Sequence, residues 1–324
     1  MSIPTTGRPA RSPGAALLVF LLVAAVSLAL THVVAIAGPG ASKAWKKVAK
    51  KVKAAEKAGA KADYNLAVAR AMLIDSEEER DEALEEAKEE YGDAKEIAGD
   101  AYKARLELAA DLEEDEVYKV EIDPADFVAG VTHPLMPLTP GVTRTYEAET
   151  EDGTETIVVT VLDETREILG VTCVVVRDTV SIDGELVEDT HDWFAQDKAG
   201  NVWYFGEISL NYEDGRLVDV EGSWEAGVDG ARPGIVMPAA PAVGQLYRQE
   251  FYLGEAEDYA EVLALSETVT VPAGTYTGCL KTFDGTPMEP DVEENKYYAP
   301  GVGVVLEVDL ESGERVELIS VSGP

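Results

Sequence analysis

From Val117 to the C-terminus the chain is a succession of short β-branched and aromatic runs, and turn chemistry separates them. Thr154–Asp163 reads TETIVVTVLD, Val171–Asp178 VTCVVVRD, Val187–Asp197 VEDTHDWFAQD, Asn201–Tyr212 NVWYFGEISLNY and Arg216–Ala226 RLVDVEGSWEA. Gln245–Leu253, Val262–Val271, Tyr276–Asp284, Val302–Asp309 and Arg315–Val321 continue the series. Asp152-Gly153, Asp183-Gly184, Ala199-Gly200, Asp214-Gly215 and Ser312-Gly313 fall between them, and such pairs supply the positive φ of hairpin turns. Pro272-Ala273-Gly274 suits a tight turn for the same reason. No helix-length periodic segment interrupts the series. Consecutive strands must therefore pair antiparallel, and residues 117–324 are expected to form a mainly β domain, an antiparallel sandwich or half-open barrel.

The preceding stretch, residues 38–116, has a different texture. Ala, Lys, Glu and Leu dominate, and no Gly or Pro occurs between Gly59 and Gly92. Trp45, Val48, Val52 and Ala55 share one helical stripe, as do Leu66, Ala69, Met72 and Leu73. Ser76 with Glu79 matches a capping box, so a second helix is expected to start there, with Gly92 and Gly99 as weak points. Residues 42–70 carry nine basic and two acidic side chains; residues 75–116 carry 19 acidic and five basic. The segments can fold back as a hairpin of opposite charges or stand as solvated helices. Because alanine stripes bury little area, the reading favoured is a loosely packed, charged α-helical spacer.

Residues 1–37 hold Arg8 and Arg11, then an apolar run from Ala15 to Ala37. As a helix that run is an N-terminal apolar span long enough for a hydrocarbon core of roughly 30 Å. It also reads as a signal peptide ending in Ala35-Ile36-Ala37. Signal peptide and membrane anchor both stand as readings, with the membrane a partner through residues 15–37 if they are retained. The lysines from Lys43 to Lys57 would hold that flank in the cytoplasm or lay it on anionic headgroups.

The chain carries 62 acidic and 27 basic residues, a formal net charge of −35. That excludes a general nucleic-acid binder. Two cysteines exclude a cysteine-built zinc cluster. Cys173 and Cys279 each fall in an expected strand, so an exported domain could join them as a disulfide; the other reading is two buried thiols. No nucleophile elbow, Walker loop, His-Glu-x-x-His or dinucleotide fingerprint is present, and no catalytic residues are assigned. His191-Asp192 with Asp197 is the best polar constellation, but neighbours in a strand point to opposite faces. Asp197–Asn201 lacks the alternating ligands of a calcium loop. No metal site or cofactor is assigned, apart from weak Ca²⁺ binding by acidic turns at Glu255–Glu261 or Glu289–Glu294. Among the aromatics, Trp203, Phe205, Trp224 and Tyr297 are the candidate ligand-binding residues, against core filling.

Several stretches resemble a broad family of exported bacterial proteins of unknown function, often called TapB-like. They are Val271-Pro272-Ala273-Gly274-Thr275-Tyr276 with Cys279-Leu280-Lys281, and Tyr297-Tyr298-Ala299-Pro300-Gly301-Val302-Gly303-Val304-Val305. Pro134–Gly141 leading into Tyr146, and Asp197–Glu207, are also similar. The resemblance covers about residues 130–321 and implies an exported β domain with no catalytic residues to carry over. The expectation is a non-enzymatic, exported, envelope-associated binding or structural protein that accepts a hydrophobic ligand, a lipid or an envelope protein partner. The location is periplasmic or cell-surface. The alternative is a carboxylate-dependent hydrolase working in a β cleft.

Overall fold

The structure, a computed structural model, describes residues 40–324. The apolar run of residues 15–37 lies outside them. No helix among the described residues is long and apolar enough to cross a membrane.

The chain opens with helix α1 (Lys43–Ala71) and helix α2 (Glu77–Asp111). Ser42 caps the first, its hydroxyl accepting from the amide of Trp45; Ser76 caps the second by accepting from the amide of Glu79, where the sequence placed a cap. Gly92 and Gly99 lie inside α2 and do not break it. The helices are antiparallel, with Arg105 Nη1 2.8 Å from Glu56, Lys53 over the Tyr102 ring and Lys61 over Tyr64 and Tyr91. The arrangement is thus the hairpin of opposite charges, and its base is fastened to the β domain. The Arg105 guanidinium lies 2.8 Å from Glu257, and both side chains are fully buried. Arg248 makes a two-pronged contact with Glu114. Trp45 and Tyr118 pack on Phe251.

The β domain is one antiparallel sheet rolled into a barrel. Its main strands are β1 (Thr143–Thr150), β2 (Gly153–Ile168), β3 (Val171–Ile182), β4 (Glu185–Asp197), β5 (Val202–Glu213), β6 (Arg232–Met237), β7 (Leu246–Arg248), β8 (Glu250–Phe251), β9 (Tyr259–Val271), β10 (Gly274–Gly285), β11 (Glu293–Ala299), β12 (Gly303–Asp309) and β13 (Arg315–Ser322). The order is β7-β9-β10-β11-β12-β13-β1-β2-β3-β4-β5-β6-β8. The two ends of that order, β7 and β8, are one stretch of chain. Leu246–Arg248 pairs with β9, Glu250–Phe251 pairs with β6, and Gln249 between them is the seam. At the turn joining β3 and β4, Asp183 and Gly184 both have positive φ, as the two-residue hairpin requires. The hairpin Val131–His133/Met136–Leu138 lies against the barrel, and Pro134 accepts from the amide of Gly301.

The expected disulfide is absent: Cys173 and Cys279 are free and buried. Cys173 is on β3 and Cys279 on β10, six places apart in the strand order. They are buried in separate core clusters, Cys173 among Val171, Val174 and Trp193 and Cys279 among Val269, Val271 and Val305, so the two sulfurs do not meet.

Candidate functional site

Strand alternation decides what the barrel encloses. The β3 residues Val174, Val176, Asp178 and Val180 share a face, which register matches to Phe194, Asp192, Thr190 and Glu188 on β4. On the other side Asp178 pairs with Val159, and Val159 with Arg144. Opposite them Lys296 on β11 pairs with Thr282 and Glu307. The enclosed face thus alternates aliphatic side chains with buried charge.

Between these strands lies a cavity of about 80 Å³. Arg144, Asp178, Asp192 and Lys296 line it with Tyr146 and Tyr298, and Val159, Val176 and Phe194 are among its apolar wall. Met136–Leu138 of the short hairpin also contributes to the wall, and Pro137 accepts a hydrogen bond from Arg144 Nη2 at 2.8 Å.

The charged groups differ in how they are satisfied. Burial alone would lower the Lys296 ammonium, but Glu307, Glu294 and Asp284 outweigh it and hold the group well above its ordinary value. Its Nζ lies 3.5 Å from Glu294 and 3.8 Å from Glu307. The Tyr204 hydroxyl lies 2.8 Å from Asp192 and 2.7 Å from Glu207. One hydroxyl proton cannot serve two carboxylates, so one of the two acids carries a proton. Burial, opposed by the tyrosine hydrogen bond and assisted by Glu188, pushes Asp192 up to about 7. Burial and then the charges of Asp192 and Glu250 hold Glu207 well above the carboxylate range. Trp224 Nε1 donates to Glu250, itself raised by burial and by Asp258.

Arg144 and Asp178 are different. Arg144 is 6% exposed, and its two hydrogen bonds, from Nε and Nη2, go to the carbonyls of Val302 and Pro137. It makes no ion pair among the described residues. Asp178 is also 6% exposed, and its Oδ1 has no hydrogen-bond partner among the described residues. Burial, then Asp192, Glu188, Glu307 and Glu155, hold its carboxyl well above the usual range.

The aromatic residues picked out from sequence do not form one site. Trp224 packs edge-on against Tyr204, next to the buried acids. Phe205 is fully buried against Phe127, which also meets Trp203. The Trp203 indole donates to Asp197 at 2.8 Å. Tyr297 is half-buried beneath Lys281, on the face opposite Tyr298. His191 stands 3.9 Å from Asp189, while Asp192 points into the barrel, so the adjacent pair diverges. Asp197–Asn201 is a hairpin turn: Asp197 accepts from the amides of Gly200 and Asn201, from the Asn201 side chain and from Trp203. Burial raises the Asp197 carboxyl, but these donors win and hold it below its ordinary value. No group of three or more metal-ligating side chains in position for an ion occurs among the described residues. Sequence reasoning missed Arg144, Asp178 and Lys296. The available signal was charge at inward positions of otherwise aliphatic strands, as in the VVVRD of β3.

No family model matches the chain, and no curated protein matches it. A solved structure from Parabacteroides distasonis, described provisionally as a lipoprotein, aligns with 58% of this chain and 98% of its own at 13% identity and a TM-score of 0.33.

Proposed function

We propose that this is a non-enzymatic, exported and envelope-associated binding protein, and that the barrel cavity is where it takes a small ligand. The TapB-like resemblance and the apolar N-terminal run ending in Ala35-Ile36-Ala37 support export. The observation that carries the binding reading is the cavity wall itself. It holds two buried charged groups on an otherwise largely aliphatic surface: Arg144, bonded only to the carbonyls of Val302 and Pro137, and Asp178, whose Oδ1 has no hydrogen-bond partner among the described residues. Stability alone would favour apolar residues there, because unpaired buried polar groups are costly. The hydrolase alternative has less behind it. Asp192 and Glu207 share the Tyr204 hydroxyl, so neither is left free to act as acid or base.

A thermal-shift screen of small polar metabolites tests this reading, run in parallel on Val176→Phe, which fills the cavity. Compounds that raise the melting temperature of the native protein should lose their effect on the filled variant. Equal shifts in both proteins would place binding elsewhere and overturn the reading.

A further inference from the structure

Four charged side chains line the cavity, and they fall into two classes. Lys296 is engaged by Glu294 and Glu307, and Asp192 by Tyr204. Arg144 keeps a full positive charge against backbone carbonyls alone, and Asp178 keeps a free acceptor. These two do not neutralise each other. Val159 pairs with both, so they stand two strands apart, roughly 10 Å between backbones. A buried cation without a counter-ion and a buried acid without a donor are each unfavourable, and a single ligand bearing both complementary charges relieves both.

We propose that the cavity takes a small zwitterion of the amino-acid class, its carboxylate on the Arg144 guanidinium and its ammonium on Asp178. This rests on the reading of the cavity as a ligand site. Arg144 Nη1 makes neither of the guanidinium's two hydrogen bonds and remains for a carboxylate oxygen. Asp192 lines the same wall as Asp178, so that pole is rich in carboxyl acceptors and suits an ammonium. Size limits the class. At roughly 10–15 Å³ of such space per water-sized group, the cavity of about 80 Å³ takes about six heavy atoms, an amino acid with a side chain no larger than methyl. Val159 and Val176, beside the two poles, would receive that methyl. A simple carboxylate satisfies only Arg144, and a simple amine only Asp178.

Isothermal titration of the protein with L-alanine, propionate and ethylamine tests the assignment. L-Alanine should bind at least tenfold more tightly than either single-charge probe. Asp178→Asn should weaken L-alanine at least tenfold and leave propionate unchanged. Arg144→Gln should weaken L-alanine and propionate and spare ethylamine, which also shows that the variant is folded. Propionate binding as tightly as L-alanine, indifferent to Asp178→Asn but lost in Val176→Phe, would overturn the zwitterion and leave the cavity as a site. No heat with any of the three probes would also overturn the zwitterion; hits lost in Val176→Phe during the wider screen would still uphold the site. L-Alanine binding unchanged in Val176→Phe would overturn both.

Discussion

There is no room for a methyl group between Gly234 on β6 and the carbonyl of Gln249 at the barrel seam. That close approach lets one stretch of chain serve both ends of the strand order. Gly234→Ala should cost about 3 kcal/mol or more, because the added carbon meets backbone rather than a movable side chain. Gly92→Ala is the control: it sits within α2 with nothing within 4 Å and should gain about 1 kcal/mol. Urea midpoints of the two variants check both signs, and a Gly234→Ala protein as stable as its parent would refute the seam.

The helical hairpin should be fastened by charge buried at its base. Removing one partner, as in Glu257→Gln, leaves the fully buried Arg105 with only the partly exposed Glu56 as counter-ion and should cost about 2–3 kcal/mol, less than the loss of a sole partner. Replacing both, as Arg105→Met with Glu257→Leu, should recover most of that loss. Denaturation midpoints measure the stability. Limited proteolysis of residues 112–123 reads release of the hairpin, and equal cleavage in parent and Glu257→Gln would show that the ion pair does not hold it.

Stability should fall as pH rises. Burial is the first cause in each case: it pushes Asp192 up to about 7, and Glu155 and Glu307 up to about 8. In the unfolded chain these groups ionise near about pH 4, so at intermediate pH the folded state binds more protons. Their stabilising contribution is fully present below about pH 4 and is lost as pH rises through about 7–8. The melting temperature should therefore drop between about pH 5 and pH 9, and Glu155→Gln should flatten the curve. A melting temperature that climbs over that interval would contradict the assignment.

Both thiols should be silent in the native protein. Burial pushes Cys173 up to about 12 and raises Cys279 as well, so neither offers thiolate at neutral pH. Alkylation should label neither cysteine until denaturant is added, and intact mass should not change on reduction. A native mass lower by two hydrogen atoms, regained on reduction, would restore the disulfide.

Much of the barrel was legible in sequence because two signals coincided, alternation and Asp-Gly turns. Two strands escaped for physical reasons. Arg232–Met237 contains Pro233 and Gly234, which read as a turn, yet β6 is a closing strand where close approach demands Gly. Thr143–Thr150 alternates Arg144, Tyr146 and Ala148 inward, and charge at an inward position disguises a core face. Glu293–Ala299 was legible only through its tyrosines, while Lys296 hid its core face in the same way. The cavity was illegible for a related reason. Its residues come from β1, β2, β3, β4, β6, β11 and β12 and from the hairpin of residues 131–138, and local sequence does not tell which strands close on each other. Hairpin docking was invisible too, since Arg105 and Glu257 are 152 residues apart.

The pairing of β13 with β1 sets Ser322 beside Thr143, so the first main strand of the barrel has its last strand as one of its neighbours. A ribosome must release β13 before the barrel can close. Until then the inward acids and the cations of β1 and β11 stay hydrated. Closure of such distant strands is slow, on the order of milliseconds to seconds. The strand order therefore gives the newly made chain an interval in which its barrel stands open and its inward charges are still accessible.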